Sequence, residues 1–145
     1  MNRPVPSSPE RSALMSRVRQ RGTSPELKVA AALRAMILSY RKNVKALPGS
    51  PDFANRKRLW AIFVNGCYWH HHTNCRKATV PKANKAFWED KFQQNRARDA
   101  KAVRELRRKG YRVAIIWECQ AEHACELVSK VAEPRRIDVS QTLDQ

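Results

Sequence analysis

The segment from Asn65 to Cys75 is the part of the sequence richest in residues that bind transition metals. It holds Cys67 and Cys75 on either side of three consecutive histidines, residues 70–72. Cysteine sulfur and imidazole nitrogen are the usual ligands of structural zinc in a tetrahedral site. With one histidine and the distant Cys119, the two cysteines would complete a Cys3His zinc site. The alternative is that the cysteines are buried apolar side chains beside a solvated histidine loop.

Three thiolates would close such a zinc site, so catalytic groups must lie elsewhere, and Asp52 is the first candidate. It follows the turn residues Gly49, Ser50 and Pro51 and begins an expected strand. A carboxylate in this position can hold Mg²⁺ against a phosphate, because hard cations take oxygen ligands. The alternative is an aspartate that only caps amides of the turn.

A second carboxylate, Asp99, lies on the inner stripe of an expected long helix. Together with Asn95 it shares the helical face defined by Phe92, Val103 and Leu106. A buried carboxylate requires a cation, a histidine or a metal-bound water as its partner. The alternative is a structural pair between Asp99 and a nearby arginine.

Glu26 is a third candidate, because its helical face also carries apolar side chains. The positions that continue this face are Val29, Leu33 and either Ile37 or Tyr40. Glu26 also stands three residues after Thr23, which is the spacing of a capping box at a helix start. Spacing alone favours the cap over a catalytic role.

His70 can take or give a proton near neutral pH, as phosphodiester hydrolysis requires. Spacing alone does not decide which of the histidines binds metal and which transfers a proton. Just before them, Tyr68 and Trp69 can stack on bases or wedge between them, with Met15 as an apolar partner from another side. Otherwise these aromatic side chains pack in the core or the loop.

Basic side chains off the apolar stripe of the second helix can contact phosphates without reading sequence, or can form a merely solvated face. They are Arg96, Arg98, Lys101, Arg104, Arg107, Arg108 and Lys109.

The elements that must position these side chains follow from periodicity and turn residues. We expect a helix from Thr23 to about Ser39, a second from Lys85 to Lys109 ending at Gly110, and a short helix between about residues 120 and 131. Expected strands cover residues 40–47, 52–54, 59–64 and 111–117. The order helix, three strands, helix, strand predicts a mixed α/β sandwich over residues 21–132, between a basic arm (residues 1–20) and a polar tail (residues 133–145).

Composition limits the partners. The 145 residues suit one domain, and 29 Lys and Arg against 13 Asp and Glu give a formal net charge of +16, which favours nucleic acid. An anionic membrane is disfavoured because the basic residues recur along the whole chain. No apolar run reaches the ~20 residues of a membrane span and no signal peptide is evident, so a cytoplasmic protein is expected. In a reducing cytosol the four cysteines indicate metal binding.

Several motifs in order resemble the very short patch repair (Vsr) endonucleases, over roughly residues 11–120. The matching segments are Met15, Thr23 to Glu26, Leu47 to Asp52, Phe63 to His70, Phe87-Trp88, Asn95 to Asp99 and Trp117 to Cys119. The resemblance implies a restriction-endonuclease-like fold, with a mixed β-sheet flanked by helices and a structural zinc. It also implies Mg²⁺-dependent incision of one strand of double-stranded DNA, 5′ to the mispaired thymine of a T:G mismatch.

The resemblance also implies a role for each matching residue. Asp52 and the backbone carbonyl of Val64 would bind Mg²⁺, His70 would be the acid/base residue, and Glu26 and Asp99 would orient metal-bound waters. Zinc would be bound by Cys67, His72, Cys75 and Cys119, with His71 as the competing ligand. The expected DNA-binding residues are Met15, Tyr68, Trp69, Asn95, Arg96 and Arg98.

The chain departs from the family pattern at three places. Tyr68 stands where Phe is frequent, the loop from His72 to Cys75 is one residue longer than in some members, and Asn65 replaces a common His or Asp. Because an amide carries no proton and no negative charge, Asn65 keeps two alternatives open. These are a related nuclease that cuts matched or invading DNA, and a catalytically silent, zinc-stapled DNA-binding module. The expected protein is a monomer, with mismatch-repair proteins as further partners.

Overall fold

The computed structural model describes residues 23–68 and 70–132 of the chain. The expected basic arm with Met15, the wedge residue Trp69 and the polar tail after residue 132 lie outside the described residues. The helices are α1 (Ser24–Ala35), α2 (Lys85–Arg108) and α3 (Ala124–Ala132), with a 3-10 helix at Glu118–His123. The strands are β1 (Arg41–Lys42), β2 (Phe53–Asn55), β3 (Trp60–Asn65) and β4 (Arg112–Trp117).

The four strands form one mixed sheet in the order β1-β2-β3-β4. The first three strands are a meander of antiparallel neighbours, and β3 pairs with β4 in parallel from Trp60↔Arg112 to Asn65↔Trp117. A parallel pair needs a crossover connection, and α2 lies in the connection between these two strands. The expected mixed α/β architecture is confirmed, while the restriction-endonuclease-like arrangement stays a prediction.

Apolar clusters cover both faces of the sheet. On one face, α1 and α3 pack against sheet residues that include Trp60, Ile62 and Ile116. On the other face, Leu106 of α2 packs with Ala61 and other apolar residues. The sheet is therefore the middle layer of three. Within the described ranges no helix combines the length and apolarity that a membrane span requires.

Two expected elements are shorter than the sequence pattern indicates. The first helix ends at Ala35 instead of Ser39, because Ile37 has a φ of 56° and its side chain is 92% exposed. Ile37 therefore does not continue the buried face of α1. The expected strand over residues 40–47 is reduced to β1, because Asn43 has a φ of 48° and leaves the extended conformation.

The loop that leads to Asp52 lies close against α2. Gly49 has a φ of 74°, and a Cβ atom at this position would lie 2.6 Å from the Cβ of Ala102 on α2. Only glycine fits both the left-handed backbone and the close approach. This contact sets the spacing between the Asp52 loop and the helix that carries Asp99.

Candidate active site and metal centre

Asp52 lies just before β2, beside the far end of β3. Its Oδ2 accepts a hydrogen bond of 2.7 Å from the backbone N–H of Val64. Burial raises the pKa of the Asp52 carboxyl from 3.8 to about 6, and the Val64 N–H lowers it. The negative charge of Glu26 raises the same pKa further, while His70 lowers it. A partly buried acid in this state favours a cation as its partner.

Glu26 therefore acts across the fold and not only within its own helix. Thr23 is the N-cap residue of α1, but its side chain makes no capping hydrogen bond, so the capping box expected from spacing is not formed. Glu26 stands in the first turn of α1, within electrostatic reach of Asp52. Two acids from separate elements thus share one end of the sheet.

His70 and Asp99 form a close pair between the histidine loop and α2. The Nδ1 of His70 lies 2.6 Å from Oδ2 of Asp99, and both side chains are about one-third exposed. The backbone N–H of His70 donates to the carbonyl of Gly66, which holds the histidine in the first turn after β3. The partner of Asp99 is this histidine and not the arginine that the sequence left open.

The predicted cysteine and histidine ligands converge on one point. One atom from each of Cys67, His72, Cys75 and Cys119 lies within 4.8 Å of the other three, which is a spacing that can hold a metal ion. The Nδ1 of His72 is 3.8 Å from the Sγ of Cys67 and 3.5 Å from that of Cys119. Three sulfurs and one imidazole nitrogen are a donor set that zinc prefers.

The protonation of the thiols also fits a cation. Cys67 is buried, and the loss of hydration raises the pKa of its thiol to about 12. The backbone N–H of Lys77 lowers the pKa of the Cys75 thiol. A buried thiol at Cys67 becomes a thiolate at neutral pH only when a positive charge compensates it, as a bound metal ion does.

Backbone conformation separates the three histidines. His71 has a φ of 50°, which turns its ring away from the cysteines and onto Phe92 of α2. The two rings stack with their centroids 4.7 Å apart. The ring of His72 stacks instead on Trp117 at 4.2 Å. His71 therefore joins the loop to α2, while His72 lies among the cysteines.

The chain was compared with known proteins. The family model of the DNA mismatch endonuclease Vsr matches residues 5–77. The type II nicking enzyme V.XorIIP of Xanthomonas oryzae pv. oryzae is 40% identical over 114 residues, or 78% of this chain and 83% of the relative. The chain belongs to the Vsr endonuclease family. The DNA mismatch endonuclease Vsr of Escherichia coli is 38% identical over 109 residues, which cover 75% of this chain and 69% of that protein.

Membership of the Vsr family makes the chain a DNA endonuclease, so its aromatic and basic side chains can be considered as a DNA surface. Tyr68 packs edge-on against Phe92, with ring centroids 5.4 Å apart, and Trp88 stacks on the same ring at 5.9 Å. Arg98 is exposed on α2. Arg96 is exposed as well, but its guanidinium donates to the Thr73 hydroxyl at 2.9 Å.

Sequence reasoning missed two side chains that organise this Vsr site. Trp117 forms a wall against which the rings of both His70 and His72 lie. Phe92 was expected only as a core residue, yet it supports Tyr68, His71 and Trp88. The sequence signal for Trp117 was its place beside Cys119 at the end of the last strand.

Proposed function

We propose that this Vsr-family endonuclease nicks one strand of duplex DNA 5′ to the mispaired thymine of a T:G mismatch, in a Mg²⁺-dependent reaction. The observation that carries the proposal is the convergence of Asp52, Glu26 and the His70–Asp99 pair at one end of the sheet. This supplies both a cation site and a proton-transfer group for phosphodiester hydrolysis.

The Mg²⁺ ligands are Asp52 and the backbone carbonyl of Val64. Support comes from the carboxylate oxygens, which are hard donors, and from the pKa of about 6 that leaves the buried Asp52 charge in need of a cation. When bound, Mg²⁺ supplies Lewis-acid stabilisation of the reacting phosphate and a water of lowered pKa. Glu26 and Asp99 hold and orient water at the same site.

His70 is the acid/base residue. Asp99 fixes the imidazole through Nδ1, which leaves Nε2 as the nitrogen that faces the substrate. A carboxylate in this position also stabilises the imidazolium that forms when the ring takes a proton. The pair can therefore move a proton between a water or leaving oxygen and the protein during cleavage of the P–O bond.

Zinc at Cys67, His72, Cys75 and Cys119 is a structural ion in this proposal. The four ligands come from the histidine loop and from the 3-10 helix after β4. A metal ion bound there ties the loop that carries His70 to the end of the sheet, and three thiolates leave no open position for substrate. Near the same group, Lys77 and Glu118 form an ion pair at 3.2 Å that joins the two segments.

Mismatch recognition rests on aromatic wedges and a basic face. Tyr68, with Trp69 and Met15, inserts beside the mismatch, while Asn95, Arg96 and Arg98 contact the DNA from the arm side of α2 and its neighbouring loop. Trp88 extends the aromatic surface around Phe92. We also propose that the protein works as a monomer in the cytoplasm, with mismatch-repair proteins as further partners.

The test is strand-specific cleavage of end-labelled duplexes that carry T:G or T:A at one position. Wild type with Mg²⁺ should give a single nick 5′ to the thymine of T:G, and none in EDTA. Asp52→Asn should abolish the nick, whereas Asp90→Asn, at an exposed carboxylate on α2, should leave it unchanged. Cutting of the T:A duplex would instead show a nuclease for matched DNA, and binding without cutting would show a silent DNA-binding module.

A further inference from the structure

Asn65 is the one buried polar side chain among the described residues, with only 5% of its surface exposed. In the described part of the chain, no hydrogen bond involves its carboxamide. Asn55 shows the usual situation: its Nδ2 donates to the carbonyl of Ser39, and its Oδ1 accepts from the backbone N–H groups of Lys57 and Arg58. The two asparagines both end strands, but only one amide is satisfied within the protein.

The position of Asn65 directs its side chain toward the catalytic groups. Successive side chains alternate across a strand, so Asn65 lies on the same sheet face as Phe63, which packs in the cluster with Leu106 of α2. Its partner on the parallel strand β4 is Trp117. The Trp117 ring also lies beside His70, with centroids 6.4 Å apart. The amide is therefore on the face where His70 meets α2.

A buried amide without partners destabilises the folded protein, and such groups are rare unless a ligand completes them. The neighbouring residue Val64 already uses its N–H to bind Asp52, so the reacting phosphate in the proposed function would lie next to Asn65. A neutral N–H donor suits a non-bridging phosphate oxygen, since it neither repels the anion nor competes for the metal.

We propose that Asn65 is a substrate-positioning residue whose Nδ2–H donates to a non-bridging oxygen of the phosphodiester that is cut. The inference rests on the proposed function and adds a phosphate contact to it. It also reverses the expectation from sequence that the amide weakens the site. Asn65 keeps the phosphate oriented while His70 and Asp52 carry out the chemistry.

The first experiment compares Asn65→Leu with Asn55→Leu, because leucine and asparagine have similar volumes. Single-turnover nicking of a T:G duplex should fall about 10- to 100-fold in Asn65→Leu, the range expected for one hydrogen bond to a charged group. Its Tm should stay the same or rise, since no bond within the protein is lost. Asn55→Leu should nick at the wild-type rate with a Tm lower by about 5 °C or more.

The second experiment replaces each non-bridging oxygen of the scissile phosphate by sulfur, in separate Rp and Sp duplexes. One of the two replacements should slow wild type more than it slows Asn65→Leu, because the variant has no bond to that oxygen left to lose. A Tm loss in Asn65→Leu like that in Asn55→Leu, an unchanged rate, or identical sulfur effects in both proteins would overturn the inference. If wild type itself failed to nick T:G duplexes, the proposed function would fail instead.

Discussion

Replacing Asp52 by asparagine should stabilise the protein while it removes activity. The change keeps an oxygen that can accept the N–H of Val64, now 2.7 Å from Oδ2. It removes a charge whose burial raises the pKa of the carboxyl from 3.8 to about 6. Each tenfold change in this protonation equilibrium corresponds to about 1.4 kcal/mol, so the charged form costs the folded state about 3 kcal/mol well above pH 6.

The sign of the pH dependence follows from the raised pKa of Asp52. Because the folded state holds the proton more tightly, wild type is favoured at low pH and loses stability as the pH rises through about 6. Asp52→Asn has no such proton. The variant should therefore be more stable than wild type by about 3 kcal/mol at pH 8 and by about half of that at pH 5.

The assay is urea unfolding of zinc-loaded protein, followed by tryptophan fluorescence at pH 5 and pH 8 without added Mg²⁺. Other titrating groups are common to both proteins, so they cancel in the difference. Asp90→Asn, at an exposed carboxylate, should change stability by less than about 0.5 kcal/mol. Added Mg²⁺ should stabilise wild type at pH 8 but not Asp52→Asn. A variant that is no more stable at pH 8 than wild type would refute the reasoning.

Three further changes test other parts of the site. Cys67→Ser should lose bound zinc and lower the Tm, measured by metal analysis and calorimetry, while the exposed Cys125→Ser should keep both. Gly49→Ala should lower the free energy of unfolding by about 1–3 kcal/mol more than Gly110→Ala. Both glycines have positive φ, but the nearest atom to an added Cβ is 2.6 Å away at Gly49 and 3.7 Å away at Gly110. Asp99→Asn should slow single-turnover nicking by about 100-fold or more with an unchanged circular dichroism spectrum, and a wild-type rate would remove the pair from the mechanism.

Elements with strong local signals were predictable from sequence. The long helix expected over residues 85–109 is observed as Lys85–Arg108, and it stops before Gly110, whose φ is 88°. The last strand, expected over residues 111–117, is Arg112–Trp117. Periodicity and a glycine stop signal act within a few residues, so the sequence contains enough information to place these elements.

The expected strand over residues 40–47 was wrong for most of its length because its outcome depends on one backbone angle. Alternating apolar and polar residues there are compatible with a strand, but Asn43 takes a φ of 48°. Asparagine is among the few residues that adopt this conformation readily. The chain then turns, and the N–H groups of Asn43 and Val44 bond to the carbonyls of Asp52 and Pro51. That exchange depends on the distant loop, which periodicity does not report.

The role of Glu26 was hidden by an adequate local explanation. Its spacing from Thr23 satisfies a capping box, yet Thr23 makes no side-chain cap and the charge of Glu26 acts on Asp52. Asp52 follows Glu26 by more than twenty residues, and only the packing of α1 beside the sheet brings the two acids together. Local patterns therefore underestimate carboxylates that serve tertiary sites.

The same limit applies to the histidines, where identical side chains in adjacent positions make different contacts. The left-handed conformation of His71 separates the directions of the rings: His70 meets Asp99, His71 stacks on Phe92 and His72 lies with the cysteines. Such a conformation is unfavourable for a residue with a Cβ, by about 1–2 kcal/mol. The ring stack on Phe92 offsets part of this cost, and metal binding by His72 would offset more. The histidine loop should therefore depend on its metal ion for the geometry of His70, which links the zinc centre to catalysis although no zinc ligand touches the phosphate.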